Sequence, residues 1–424
     1  MREVNLVCVS ANANANKFYR MIERDDLSVE KHWGRVGSHG ESSVTHGDYD
    51  RTLREKLKKG YVEVDVVASS APSSSSSSSA VLSEVARKHL VSGVADSVLL
   101  SLIDRLVAIN RHDIIGKSGG QIQVSEDGIV RTPLGVISTA SIARARGILD
   151  GYEHAFAEDA KTTLLEDYLK LVPQKVNYRR GWDKTFFSGS NTIASQYQFL
   201  DQLEAAVQTQ QDRIEAAAKA ASEPESTEDE FADLFRFRVS VLEDSVEFDR
   251  INKFYEDSKN DRHGAARYKL KRVYKLGDVS GHDEVFAATS ARVGNVKEMW
   301  HGSQAHNILS ILRKGLFVPS SRSFDFHGRM FGDGVYLSNQ SSKSLNYSHG
   351  MWDGRRNSQV FMFLAKVAMG HEYRPSSRYD DREAHSGKYQ SVNIKGGTCG
   401  VLNHEAVVWD LDQLSLRYLL EFDS

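Results

Sequence analysis

The sequence predicts a multidomain protein with a small N-terminal module, an all-α helical bundle, and a larger α+β domain on a mixed or antiparallel sheet. Three observations carry this. A serine run from Ser73 to Ser79 cuts off residues 1–67. Apolar residues at helical spacing dominate the next stretch. After residue 231 the texture changes to alternating, β-branched segments punctuated by glycine.

The bulk numbers agree. A chain of 424 residues is long enough for two to four domains. Its 40% hydrophobic and 26% charged residues are a globular composition. No stretch approaches the roughly eighteen consecutive apolar residues of a membrane span, and Met1 to Asn5 lack the apolar core of a signal peptide. No membrane partner is expected. Cys8 and Cys399 are too few for a cysteine-rich zinc site or a disulfide framework, which points to a reducing, intracellular compartment. A net charge of −3 excludes a polycation, so nucleic acid would have to meet a local patch.

Residues 68–80 read as a flexible serine-rich linker, because serine offers no apolar side chain to bury. The segment 81–215 is helical in pattern. Val81, Leu82, Val85, Leu90, Val94, Val98, Leu99, Leu102, Ile103 and Leu106 recur at helical spacing, and 142–156 and 194–221 are similar. Pro133 marks a turn, and Ser138 stands where an N-cap would begin the next helix. Residues 216–230 become acidic, with Glu223, Glu225, Glu228, Asp229 and Glu230, and form a solvated connector. In 231–424, strands are expected over 235–242, 267–276, 360–369 and 406–411. No repeat and no dinucleotide fingerprint in a strand–turn–helix setting is present.

Four short pieces of the last domain carry candidate chemistry. Met299-Trp300-His301-Gly302-Ser303 sets an imidazole, an unhindered backbone and a hydroxyl side by side at a strand end, though a lone histidine there is more often structural. Phe331-Gly332-Asp333-Gly334-Val335-Tyr336-Leu337-Ser338 is a tight loop followed by a strand bearing Tyr336, or a plain hairpin with a packed tyrosine. Ser342-Lys343-Ser344-Leu345-Asn346-Tyr347, read as a helix, puts Lys343, Ser344 and Tyr347 on neighbouring positions, or is an ordinary surface helix. In Asn403-His404-Glu405-Ala406-Val407-Val408 a glutamate heads an apolar strand. It needs a partner there or it faces water.

Taken together, the order and spacing of these pieces closely resemble the poly(ADP-ribose) polymerase catalytic domain over residues 231–424. The resemblance implies the ADP-ribosyltransferase fold and NAD⁺ consumed as a substrate, with no metal. It implies that His301 bonds the adenosine-side ribose, that Gly302 and Ser344 hold the nicotinamide carboxamide, and that Tyr336 and Tyr347 stack on the nicotinamide ring. Ser303 and Asn307 match further NAD-contacting positions, Lys343 a lysine beside the catalytic glutamate, and Glu405 that glutamate. His301, Tyr336 and Glu405 are the triad of chain-extending members. Departures are Ala406, where a larger residue is usual, His404, where asparagine is common, and Arg329 and Asp333, where an aromatic and a lysine are often found. They bear on the acceptor side and on the loop over the site.

Residues 1–67 contain His32-Trp33-Gly34-Arg35-Val36-Gly37 and Lys58-Lys59-Gly60-Tyr61-Val62 and resemble the WGR domain, a small α+β module of DNA-dependent members. Trp33 would face a sugar or base at a DNA end and Arg35 a phosphate. Alternatively, Trp33 is a core anchor and the lysines a solvated face. Thr132 to Ser138, Leu164 to Pro173 and Phe199 to Leu203 are similar to the family's regulatory helical domain, a gate released by DNA. The expected enzyme is therefore an NAD⁺-dependent poly-ADP-ribosyltransferase activated by DNA ends or nicks. Its acceptors would be proteins including itself, and its address the nucleus in a eukaryote or otherwise the cytoplasm. The alternatives are a DNA-independent mono-ADP-ribosyltransferase and a non-catalytic NAD- or DNA-binding scaffold.

Overall fold

The computed structural model describes residues 2–38, 40–63, 87, 90–92, 96–117, 123–124, 130–132, 135–188, 191–193, 195–204, 207, 235–318, 330–350, 359–377 and 386–423. The serine-rich linker and the acidic connector lie outside them, as do Pro133 and Arg329. The chain divides into two units. The first is Met1–Leu82 with Arg111–Pro224, the second Ser83–Asn110 with Glu225–Ser424.

The first unit is built on a five-stranded antiparallel sheet of order β4-β3-β2-β1-β5. Its strands are β1 (Arg2–Ser10), β2 (Ala15–Glu23), β3 (Ser28–Arg35), β4 (Glu41–His46) and β5 (Val62–Glu63). Asn14 turns the β1–β2 hairpin at φ +48°, a left-handed conformation that asparagine tolerates. Period-two alternation loads both faces. Val4, Leu6, Tyr19, Met21 and Val29 form one core with Tyr49 at the start of α1 (Tyr49–Lys58). Asp48 caps that helix by accepting from the Arg51 N–H at 3.0 Å.

Val7, Val9 and Phe18 turn to the opposite face. The chain passes through helix α2 (Ser97–Lys117), whose residues to Asn110 belong to the second unit, and rejoins the first at Arg111. A three-stranded antiparallel ribbon follows, β6 (Gln123–Val124), β7 (Val130–Thr132) and β8 (Gly135–Val136), and then α3 (Thr139–His154) and α4 (Glu158–Leu171). Ser138 does cap α3, accepting from the Ser141 N–H at 3.1 Å. Ile142, Ala145, Leu149, Leu165, Tyr168 and Leu169 pack with Phe199, Leu200 and Leu203 against the free face of the sheet. The helical segment expected over 81–215 thus contributes to two units and contains a strand ribbon. Among the described residues it does not form one separate all-α bundle.

The second unit holds two sheets, and its content is mixed α/β with mostly antiparallel pairing. One sheet has the order β11-β13-β17-β10-β9. Its members are β9 (Phe237–Val241), β10 (Lys269–Asp278), β11 (Val296–Gly302), β13 (Val360–Ala368) and β17 (Leu414–Asp423). The other has the order β12-β16-β15-β14, from β12 (Val335–Leu337), β14 (Glu372–Tyr373), β15 (Ser391–Ile394) and β16 (Glu405–Val408). Only its β14–β15 pair is parallel. Central β13 is buried except at Lys366, because helices or strands cover both its sides. Helices α5 (Ser245–Asp257), α6 (His282–Val293), α7 (Ala305–Lys314) and α8 (Ser341–Ser348) complete the unit. The part of α2 in this unit docks on β17. Arg105 donates to the buried Glu421 carboxylate at 2.9 Å, and Asn110 Nδ2 donates to the His306 carbonyl at 3.2 Å.

Candidate functional site

The two sheets of the second unit meet where β11 ends. Trp300 and Ser338 exchange backbone hydrogen bonds of 2.9 and 3.0 Å, which joins β11 to the residue after β12. Trp300 is fully buried, stacked on Phe254 with ring centroids 5.0 Å apart, and its indole N–H donates to Ser258 Oγ at 3.0 Å. This anchor sets His301 and Gly302 at the strand's rim. A Cβ on Gly302 would lie 1.7 Å from the Ser344 carbonyl oxygen, so only glycine lets the backbone of β11 approach α8 this closely. Gly334 is under similar pressure from Val407 and the Val408 carbonyl, at 2.5 and 2.7 Å.

Five residues converge from four elements, β11, β12, α8 and β16. The His301 Nδ1–H donates to the Tyr336 carbonyl at 3.0 Å, which leaves Nε2 as the ring's acceptor nitrogen. Burial holds the imidazole pKa below its ordinary value, and the Lys343 charge pushes the same way. Lys343 Nζ meets Glu405 Oε1 at 2.8 Å, and both side chains are nearly inaccessible, at 9% and 13%. Burial lowers the lysine's pKa, against the attraction of Glu405. Tyr347, one turn along α8, has its hydroxyl pushed up to about 12 by burial and by Glu405, and its ring lies 5.9 Å from Lys343 Nζ. The structure therefore groups His301, Tyr336, Lys343, Tyr347 and Glu405.

The remaining expected residues are close by. Ser344 Oγ donates to the Trp300 carbonyl at 3.1 Å, and Asn307 Nδ2 to Ser303 Oγ at 3.4 Å. The Tyr336 hydroxyl is tied into the preceding loop, accepting from the Phe331 N–H at 3.0 Å and donating to the Gly332 carbonyl at 2.9 Å. Two networks beside the site carry no motif. His263 joins Ser342 Oγ at 2.9 Å to Asn403 Oδ1 at 3.0 Å and so links the start of α8 to the approach to Glu405. His404, Asn393 and Glu372 form the other. Among the described residues no cluster of His, Cys, Asp and Glu could hold a metal, and no helix is long and apolar enough to cross a membrane.

The α1 face of the first unit has a different character. Trp33 is half-buried and stacked on Tyr19 at 6.0 Å. Lys56 Nζ sits 3.7 Å above the Tyr19 ring. Burial and the like charges of Lys59, Lys17 and Lys31 lower the Lys56 pKa. Arg35 donates to the Asn14 carbonyl at 2.7 Å and to the Asn177 carbonyl at 3.4 Å, with its guanidinium 5.1 Å over Tyr178. It braces the sheet against the segment after α4.

Residues 245–396 match the poly(ADP-ribose) polymerase catalytic domain, and residues 3–67 match the WGR domain. The protein mono-ADP-ribosyltransferase PARP3 of Homo sapiens is 24% identical over 91% of this chain and 75% of its own length. Poly [ADP-ribose] polymerase 1 of Xenopus laevis is 22% identical over 99% of this chain, which spans 45% of that protein. The putative poly [ADP-ribose] polymerase-like 100L of Invertebrate iridescent virus 6 is 32% identical over 28% of this chain and 67% of its own. The chain belongs to the poly(ADP-ribose) polymerase family. Its second unit carries this family's NAD⁺ ADP-ribosyltransferase domain, and its first sheet with α1 is the WGR domain. The catalytic-domain match contains His301, Tyr336, Lys343 and Ser344 and stops before Glu405, which the fold brings to Lys343.

Proposed function

We propose that this poly(ADP-ribose) polymerase family member transfers ADP-ribose units from NAD⁺ to itself and to neighbouring proteins, extends them into chains, releases nicotinamide, and is switched on by DNA ends or nicks. The observation that carries the catalytic part is the buried Lys343–Glu405 pair beside His301 and Tyr336. Heterolysis of the nicotinamide–ribose bond sends the electron pair to nicotinamide and leaves oxocarbenium character at the ribose carbon. Glu405, positioned against Lys343, stabilises that charge and polarises the acceptor hydroxyl that bonds to the carbon. The Nε2 of neutral His301 accepts from a ribose hydroxyl. Gly302 and Ser344 hold the carboxamide, Ser344 by exchanging its bond to the Trp300 carbonyl. Tyr336 and Tyr347 flank the nicotinamide ring, and Ser303 and Asn307 complete the NAD⁺ contacts.

The DNA part is supported by the WGR face, where the half-buried Trp33, backed by the core residue Tyr19, offers aromatic surface near Lys17, Lys31, Lys56 and Lys59. The assigned domains are 1–67 for DNA, 81–215 for a regulatory helical domain that gates NAD⁺ access, and 231–424 for catalysis. The cell compartment is the nucleus of a eukaryote or otherwise the cytoplasm. A second reading, transfer of a single unit, is favoured by the likeness to a relative named as a mono-ADP-ribosyltransferase.

Incorporation of labelled NAD⁺ by the purified chain, with and without nicked or blunt duplex DNA and resolved by size, tests both parts. A DNA-dependent ladder is expected. A single DNA-independent increment would replace the leading reading with the second, and no incorporation would leave a binding scaffold.

A further inference from the structure

The ring of His404, the residue before Glu405, has a partner on each nitrogen. The backbone N–H of Asn339 donates to Nδ1 at 3.1 Å, so the ring proton sits on Nε2, which donates to Asn393 Oδ1 at 3.2 Å. The Asn393 Nδ2 donates to Glu372 Oε2 at 2.8 Å. The other Glu372 oxygen accepts from Lys297 and, at 3.3 Å, from Asn295 Nδ2. The polarity of the chain is self-consistent. A carboxylate only accepts, so Asn393 presents its NH₂ to Glu372 and its oxygen to His404. That leaves one tautomer of the imidazole, with its lone pair toward Asn339. The His404 carbonyl is fixed as well, accepting from Ser338 Oγ at 2.8 Å.

The relay draws on β11 through Lys297, β14 through Glu372, β15 through Asn393 and the residues after β12, and it converges on the entry to β16. Burial opposes the charge of Glu372, but its bonds from Lys297 and Asn393 hold the carboxyl below its ordinary pKa. The side chain is only 10% exposed. A carboxylate kept charged at that depth needs its donors in place and is a rigid anchor for them.

We propose that His404, oriented by Asn393 and Glu372, is a positioning residue that sets the backbone entering β16 and so keeps the Glu405 carboxylate against Lys343. The proposal rests on the reading of Glu405 as catalytic. Protonating His404 would place an N–H on Nδ1 against the Asn339 N–H and break the relay at its last link. The charges acting on the ring are Lys343, Lys297 and Glu372, with Glu405 next in the chain. Burial first, then the two lysines, bring its pKa down to about 4, with Glu372 opposing. The relay therefore stays intact through neutral pH and gives way as the pH falls toward that value.

The full chain carrying N393L, E372L or E372Q tests this, with initial rates at varied NAD⁺ and the ring tautomer read by long-range ¹H–¹⁵N correlation. N393L and E372L should lower kcat about ten- to a hundredfold with KM for NAD⁺ shifted by less than about threefold. E372Q, which keeps an oxygen for Asn393, should recover most of the rate. The wild-type His404 should appear as the neutral Nε2–H form at pH 5, while N393L, which takes the acceptor from that N–H, should lose this single well-defined ring state without any rise in its titration. A wild-type ring titrating as an ordinary histidine, or unchanged kcat in folded N393L, overturns the relay alone. A wild-type chain that transfers no ADP-ribose overturns the catalytic reading, and the proposal with it.

Discussion

The proposed catalytic site and the α1 face of the WGR domain deal with charge in opposite ways. In the site each charge is set against its complement, Lys343 with Glu405, both largely buried, and the partly exposed Lys297 with the largely buried Glu372. Burial keeps both His301 and His404 neutral. On the WGR face, burial and then the like charges of Lys59, Lys17 and Lys31 depress the pKa of Lys56. A reacting centre gains from dipoles and charges fixed before the substrate arrives, which requires partners that satisfy them in its absence. A surface that captures a polyanion gains from leaving its charge uncompensated until counterions are exchanged for phosphates. Substitutions in the first region should therefore act on rate, and in the second on affinity and its salt dependence.

The largest effect is expected at Glu405. Replacing it with glutamine keeps size and a hydrogen-bonding oxygen but removes the charge that faces Lys343 and that the proposed mechanism sets against the reacting ribose. The initial rate of ADP-ribose transfer should fall by about 10²–10³. NAD⁺ binding by calorimetry should change by less than about threefold, because the aromatic and carboxamide contacts stay. Equal loss of binding and rate would place Glu405 in ground-state recognition instead.

Trp33 comes next. Its ring is stacked on Tyr19 and only half-buried, so Trp33→Ala removes exposed aromatic surface together with some packing. Affinity for a short blunt duplex should drop by about 1–3 kcal/mol, with the basal, DNA-free rate unchanged. If melting falls sharply and DNA affinity does not, Trp33 is a core anchor and the face has another role.

The two regions were unequally legible in the sequence. His301, Gly302, Tyr336, Ser344 and Glu405 lie in short runs where glycine or a change of periodicity breaks the pattern. The structure supplies the reason in the contacts a Cβ at Gly302 or Gly334 would make. The strands over 360–369 and 235–242 were readable because period-two alternation or a continuous apolar run leaves a local trace. The supporting networks leave none. His263 finds Ser342 across 79 positions and Asn403 across 140, and polar residues so far apart share no spacing. His404 stood out only as a departure from the family's asparagine.

The helical segment shows a related limit. Periodicity finds a helix and its apolar face but not the core that face will meet. Ile114 packs with the WGR sheet's core, while Arg105, on the same helix, is bonded to Glu421 in the catalytic unit. Arg35, expected at a phosphate, is engaged with the Asn14 and Asn177 carbonyls. A basic residue beside a tryptophan cannot reveal from sequence that backbone oxygens will surround it.

The smallest effect is expected at Lys56 and separates recognition from structure most cleanly. Lys56→Met keeps an unbranched side chain over Tyr19 and removes one charge from the lysine group. Because the folded-state pKa of Lys56 lies below its ordinary value, the folded chain holds that proton less well than the unfolded chain does. The charge thus costs stability at neutral pH, and the cost disappears as pH rises past the ordinary lysine range. Set against this is the attraction of the ammonium for the Tyr19 ring, about 0.5–1 kcal/mol at an exposed site. The melting temperature at pH 7 should therefore move by only a degree or two, in either direction. DNA affinity should still weaken, and the slope of log K against log salt should shrink by about 0.9, the share of one phosphate contact. An unchanged slope with a lower melting temperature would make Lys56 a packing residue and move the phosphate path to Lys31 or Lys59. The two outcomes differ in sign of argument as well as in size, because only a charge kept for a partner can be removed at little structural cost and still be missed when DNA is added.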